Sequence, residues 1–142
     1  MTHPIRLDVR FATDPGEALL VQAQIVDWLK ERHYSAREIF GVRLSLEEGL
    51  MNAIKHGNRR DPSKSVHVFC EVDETRAYIV IEDEGPGFDP AAVPDPLAEE
   101  NLEKTSGRGL FLMRQYMTLV EYQDSGRRLV LEMRREENSQ QL

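Results

Sequence analysis

Residues 65–83 constrain the fold more than any other stretch of the chain. Ser65 to Val72 and Arg76 to Asp83 are two runs of strand length, separated by the polar turn Asp73-Glu74-Thr75. The apolar centre of the second run, Tyr78-Ile79-Val80-Ile81, is set among charged and small residues. Two such runs joined by a short polar turn specify a β-hairpin. The second run leads directly into Asp83-Glu84-Gly85-Pro86-Gly87-Phe88. An acidic side chain at a strand end, followed by glycines that let the backbone turn sharply and approach a ligand closely, marks a candidate binding turn.

The remaining elements arrange themselves around this hairpin. Ile5, Leu7, Val9 and Phe11 alternate with Arg6, Asp8 and Arg10, the pattern of a half-buried strand. Thr13 or Asp14 caps a helix that has Pro15 in its first turn and runs to about Arg32. Leu19, Leu20, Ala23, Ile25, Val26 and Leu29 are its expected apolar face. Ser35-Ala36-Arg37-Glu38 is a capping box and opens a long helix to about His56. Ile39, Val42, Leu46, Leu50 and Ala53 fall on one face of it, and Gly57 and Asn58 are read as its stop.

After the hairpin no period holds from Phe88 to Ser106, a stretch carrying Pro90, Pro94, Pro96, Glu99, Glu100 and Glu103. A loop of that length is functional or disordered. A helix from Gly107 to about Thr118, a strand from Leu119 to Gln123, a turn at Asp124-Ser125-Gly126 and a strand from Arg127 to Arg134 follow. The polar tail 135–142 is expected to fray. Strands paired in hairpins, with helices grouped between them, lack the strict alternation of a doubly wound fold. The expected class is α+β, a two-layer sandwich of three main helices on one mixed or antiparallel sheet. Its 142 residues suffice for one domain, 1–142, with a core of about 6–134.

The formal net charge of -7 argues against direct nucleic-acid binding, which needs a basic surface. The lone cysteine, Cys70, excludes an intrachain disulfide and reads as a buried, inert thiol. No apolar run reaches membrane-spanning length, and the first residues lack the basic-then-apolar order of a signal peptide. The expected location is the cytoplasm, with no membrane partner.

Two further groupings carry chemistry. Glu48, Asn52 and His56 follow one another at intervals of four on the long helix, roughly opposite Leu46 and Leu50. The stripe reads either as a solvated face or as a site. An amide oxygen is a neutral ligand for Mg²⁺, and a carboxylate one turn away can take a proton from a nucleophile. Gly107-Arg108-Gly109 opens the third helix, where free N–H groups and the positive dipole end suit a phosphate. Lys55, Lys104 and Arg108 are either phosphate contacts or solvated charges.

Taken in order, these groupings make the chain resemble the GHKL ATPase superfamily, which includes gyrase and the histidine kinases. Within it the chain is most similar to the small bacterial anti-sigma-factor serine/threonine kinases. Glu48-Gly49-Leu50-Met51-Asn52-Ala53-Ile54-Lys55-His56-Gly57 matches the N-box, Asp83 to Phe88 the first glycine box, and Gly107-Arg108-Gly109-Leu110 the second. The resemblance spans about residues 6–134 and implies a Bergerat-type fold. It implies ATP and Mg²⁺ as cofactors, with Asn52 on the metal and Glu48 as general base. Asp83 would accept the adenine amino group, Gly85 belongs to the same box, and Gly87 would give the base room. Residues 88–106 would be a lid, and Thr105, Ser106, Gly107, Arg108 and Gly109 would meet the phosphates, with His56 approaching them. In the family a Thr usually follows the glycine of the last hairpin and supports adenine through water; here Gly126 is followed by Arg127 and Arg128. The implied partners are an antagonist protein as phosphorylation substrate, a sigma factor in the alternate state, and a second copy in a homodimer. The alternative is a nucleotide-gated protein-binding regulator without phosphotransfer.

Overall fold

The computed structural model describes residues 3–86 and 107–136. Five strands form one sheet in the order β1-β2-β3-β5-β4: β1 (Ile5–Ala12), β2 (Ser65–Val72), β3 (Arg76–Glu82), β4 (Leu119–Gln123) and β5 (Arg128–Arg134). Every pairing is antiparallel. The expected hairpin is present, with Val72 opposite Ala77 and His67 opposite Glu82. Asp73 fixes its turn by accepting the backbone N–H groups of Thr75 and Arg76 at 2.7 and 2.9 Å. Three helices pack on this sheet: α1 (Pro15–Glu31), α2 (Ala36–Asn52) and α3 (Gly107–Tyr116).

The period of two decides which side of the sheet the helices cover. Val66, Val68, Cys70 and Val72 join Ala77, Ile79 and Ile81 and Leu129, Leu131 and Met133 in one core with Ile25, Leu29, Val42, Leu46 and Leu50 of the helices. Cys70 is fully buried among them, and burial pushes its thiol up to about 12, so it is inert. The opposite face carries Phe69, Val80 and Val130 in register across three strands, flanked by Asp8 and Glu121. There the His67 ring lies between Asp8 and Glu82, at 2.6 and 2.9 Å.

The helix starts follow their caps. The Asp14 carboxylate accepts the Gly16 N–H at 2.9 Å. The capping box is complete: Ser35 Oγ accepts the Glu38 N–H at 3.1 Å, and the Glu38 carboxylate accepts the Ser35 N–H at 2.8 Å. α3 lies close against α2 at Gly41, where a Cβ would fall 2.7 Å from the Tyr116 Cβ.

Three expectations are corrected. The buried face of α1 is Ala18, Val21, Ile25, Val26 and Leu29, whereas Leu19 and Leu20 are 63% and 67% exposed and Ala23 also faces solvent. The pattern of apolar residues on α1 is wider than the stripe the sheet can cover. Second, regular α-helix ends at Asn52, and Ala53–Gly57 continues as one π-turn. Third, the tail does not fray from Arg135. That side chain donates to the His33 carbonyl at 2.6 Å, its guanidinium lies 4.5 Å from the centre of the Tyr34 ring, and the Glu136 N–H donates to Glu38 at 2.8 Å. Residues 137–142 lie outside the described residues. Ser35→Ala should lower stability in urea unfolding by about 1 kcal/mol, the usual value of an N-cap.

Candidate functional site

A cavity of about 270 Å³ opens where the end of α2, the end of β3 and the β4–β5 turn meet. That lies just below the usual range of ligand pockets, about 300–1,000 Å³. Gly49, Asn52, His56 and Gly57 line it from the helix side, Ile81, Asp83 and Pro86 from β3, and Tyr122, Arg127 and Leu129 from the last hairpin.

The π-turn shapes the helix wall. Asn58 N–H reaches back to the Ala53 carbonyl at 2.7 Å, and Arg60 N–H to that of Ile54 at 2.8 Å. A π-turn holds one more residue than an α-turn. His56 is therefore rotated away from the simple stripe with Glu48 and Asn52, although it still lines the cavity. Burial, then Lys55 and Arg60, lowers the His56 pKa, which favours the neutral ring.

Gly57 and Asn58 do more than stop the helix. Gly57 has no left-handed backbone. Its role is proximity: a Cβ there would overlap the Asp83 carboxylate, and a Cβ on Gly85 would overlap the Gly57 carbonyl. Asn58 is 0% exposed. Its Oδ1 accepts the Glu84 N–H at 2.7 Å, and its Nδ2 donates to the Ser65 carbonyl at 2.8 Å and to Thr13 Oγ1 at 3.1 Å. Glu84 completes the tie by accepting from the Ser65 backbone N–H and hydroxyl. The glycine turn is thus bolted to the N-box helix and to the starts of β2 and α1.

Asp83 sits at the foot of this turn. Its Oδ1 accepts the Gly85 N–H at 2.8 Å, and its own N–H donates to the Arg127 carbonyl at 2.9 Å. Burial raises its pKa above the ordinary carboxylate value, while the Gly85 N–H and the Arg127 charge pull the other way.

Tyr122 ties the two halves together. Its phenol is pushed up by burial, hydrogen-bonds with the Asn52 side chain, and feels the charges of Glu48 and Asp83. Glu48 itself is half-buried on α2. The structure therefore brings Asn52, His56 and Asp83 to one cavity, with Gly85 buried behind Asp83, whereas Glu48, one turn before Asn52, is not among its lining residues. Gly107, Arg108 and Gly109 form the first turn of α3. Gly87, Thr105, Ser106, Lys104 and the lid expected over 88–106 lie outside the described residues. Tyr122, Asn58 and Arg127 escaped the sequence reading as members of the site. Tyr122 occupies an alternate position of a short strand, which marks only an inward side chain.

A profile of the histidine kinase-like ATPase domain matches residues 11–135. The chain belongs to the histidine kinase-like ATPase domain family. An anti-sigma F factor of Oceanobacillus iheyensis is 24% identical over 118 residues, which cover 81% of this chain and 80% of that protein. The serine-protein kinase RsbW of Bacillus subtilis is 28% identical over 130 residues, 83% of this chain and 78% of that protein. A crystal structure of the RsbU and RsbW domains of a Mycobacterium tuberculosis protein shares the fold, with a TM-score of 0.62 at 16% identity, over 95% of this chain and 32% of that one. The three helices on an antiparallel sheet are thus the fold of this ATPase domain family. Among the described residues, no helix is long and apolar enough to cross a membrane.

Two outcomes follow from the geometry of this ATPase-like domain. Asn58→Ala strands the Glu84 N–H and should lower stability in urea unfolding by about 2–4 kcal/mol. Asp83→Asn should act in the opposite direction. A carboxyl whose folded pKa is raised contributes stability below its unfolded pKa and loses it as pH rises through the folded pKa. At pH 7 the ionised Asp83 is therefore a net cost, and the Asn variant should melt at a higher temperature there, with the gain shrinking as the solution is acidified.

Proposed function

We propose that this chain is a Mg²⁺-ATP-dependent serine/threonine protein kinase that acts as an anti-sigma regulatory factor in a partner-switching system. Its substrate is a small antagonist protein, and in the alternate state it binds a sigma factor. The names of its relatives, anti-sigma F factor and serine-protein kinase, support that class. The observation that carries the reading is the single cavity lined by both Asn52 and Asp83, residues drawn from two separate motifs.

The roles follow from chemistry. Asp83 accepts the amino group of the base, with Gly85 in the turn behind it and Gly87 giving the base room. Thr105, Ser106, Gly107, Arg108 and Gly109 receive phosphates at the start of α3, where N–H groups lack helical partners. His56 adds a ring at the cavity wall. The Asn52 side chain lines the cavity, and among the described residues no cluster of three or more His, Cys, Asp or Glu gathers to cage a metal. Asn52 would hold Mg²⁺ as a neutral oxygen ligand, and the ion would supply positive charge to offset that of the transferring group. Glu48 takes the proton of the attacking Ser or Thr hydroxyl. As the new O–P bond forms, the bond from the γ-phosphorus to the bridging oxygen breaks and ADP leaves.

A homodimer in which sheet meets sheet is part of the same reading, and the helix-free sheet face carries half-buried Phe69 and Val80.

Calorimetric titration of ATP with and without Mg²⁺ tests the site. Wild type should need Mg²⁺ for tight binding, and Asn52→Ala should lose that dependence. Glu48→Gln should keep ATP affinity within about threefold yet slow phosphotransfer to the antagonist by at least about 100-fold, the usual contribution of a general base. Unchanged transfer in that variant would leave a nucleotide-gated regulator as the better description.

A further inference from the structure

Arg127 occupies the position after Gly126, where the chain departs from its family's usual residue. Its guanidinium is engaged with the glycine turn. Nε donates to the Gly85 carbonyl at 2.8 Å and Nη2 to the Pro86 carbonyl at 2.9 Å. Nη1 donates to the Asp124 carbonyl at 3.2 Å and reaches its carboxylate at 3.4 Å. A guanidinium has five N–H donors in a planar fork. Nε, Nη1 and Nη2 each spend at least one N–H on these acceptors, which leaves donor capacity for a further acceptor. The side chain is about one-third exposed and lines the same cavity as Asp83. Backbone geometry fixes the two residues together, because the Asp83 N–H donates to the Arg127 carbonyl. The turn before Arg127 is also pinned, with Asp124, Ser125 and Gly126 all at positive φ.

The cavity wall therefore offers an acceptor, Asp83, beside a donor, Arg127. We propose that Arg127 is a specificity-determining residue that donates to a purine ring nitrogen adjacent to the amino group taken by Asp83. An adenine edge presents that pair, a donor at its exocyclic amine and an acceptor at N1. The inference rests on the nucleotide-site reading of Asp83. It replaces a small hydroxyl and its water with a charged donor already held in place by three carbonyls. Charged donors give hydrogen bonds roughly twice as strong as neutral ones.

The test is a cycle of two ligands and two proteins. ATP and 1-deaza-ATP, in which C–H replaces N1, are titrated with Mg²⁺ into the wild-type chain and into Arg127→Met. Wild type should bind ATP about tenfold tighter than the analogue, the value of one charge-assisted hydrogen bond. Arg127→Met should bind both ligands within about twofold of each other, because the donor is gone. A purely structural strap would weaken both ligands by the same factor and preserve the ratio, and that result overturns the proposal. Equal binding of the two ligands by wild type overturns it without any variant, so a misfolded Arg127→Met leaves the question decidable. Wild type binding neither ligand would instead refute the nucleotide site itself, and the proposal with it.

Discussion

The site depends on one buried amide. Asn58 joins four pieces of chain that come from distant parts of the sequence: the end of the N-box helix, the start of β2, the Thr13 corner before α1, and the glycine turn after β3. A buried amide is stable only when its donors and acceptor are matched, and here three of its bonds are made at 2.7–3.1 Å. Thr13 is itself fixed, since its N–H and hydroxyl both donate to the Lys64 carbonyl, at 3.2 and 2.8 Å. The network leaves the glycine turn little freedom relative to α2. Gly57 and Gly85 then let the two backbones touch, which places the Asp83 carboxylate against the N-box helix. The Asp83 carboxylate and the Asn52 amide can be held at one cavity only if this junction is rigid.

Charge is distributed to the same end. The chain as a whole carries a formal net charge of -7. The described cavity wall nevertheless includes Lys55, Arg59 and Arg127 against the single carboxylate of Asp83. Arg59 and Arg60 both sit at positive φ, at 53° and 59°, an unfavourable backbone for non-glycine residues. Such strain is held in place by its surroundings, here the π-turn and the bond from Arg60 N–H to the Ile54 carbonyl. A cationic wall inside an acidic molecule favours a polyanion at that one place without a generally basic surface.

Much of this was legible in the sequence. The hairpin, the strand faces, the capping box and the order of the elements are local signals, carried by periods of two and by polar residues at fixed offsets. The antiparallel sheet and the α+β class follow from them. The three boxes announced the family, and Asn52, His56 and Asp83 line one cavity, though the π-turn takes His56 out of the stripe its spacing suggested. What stayed hidden depends on tertiary contact. Leu19 and Leu20 are indistinguishable in sequence from Val21 and Ile25, and only the position of the sheet decides which side is covered. The π-turn at Ala53 has no residue signature, since it arises where the chain must accommodate Asn58. Arg135 resembles any polar tail residue until Glu38 and the ring of Tyr34 are beside it. Arg127 read as a lost threonine, because its carbonyl partners Gly85 and Pro86 lie about forty residues earlier.

α2 serves both the core and the cavity, and Gly49 makes this possible. Val42, Leu46 and Leu50 point into the core, while Glu48 and Asn52 on the other side are half-buried near Tyr122. At Gly49 the helix approaches the sheet so closely that a Cβ would sit 2.8 Å from Leu129 Cδ2 and 2.9 Å from Ile81 Cδ1. Those neighbours are the ends of flexible side chains and can give way to a methyl, whereas a bulkier residue exceeds that room and would tilt or lift the helix. The same displacement would carry Asn52 and Glu48 away from Tyr122 and from Asp83. Packing at one glycine therefore sets the distance between the two ends of the cavity, and a fold-level contact governs the geometry that the proposed phosphoryl transfer would use.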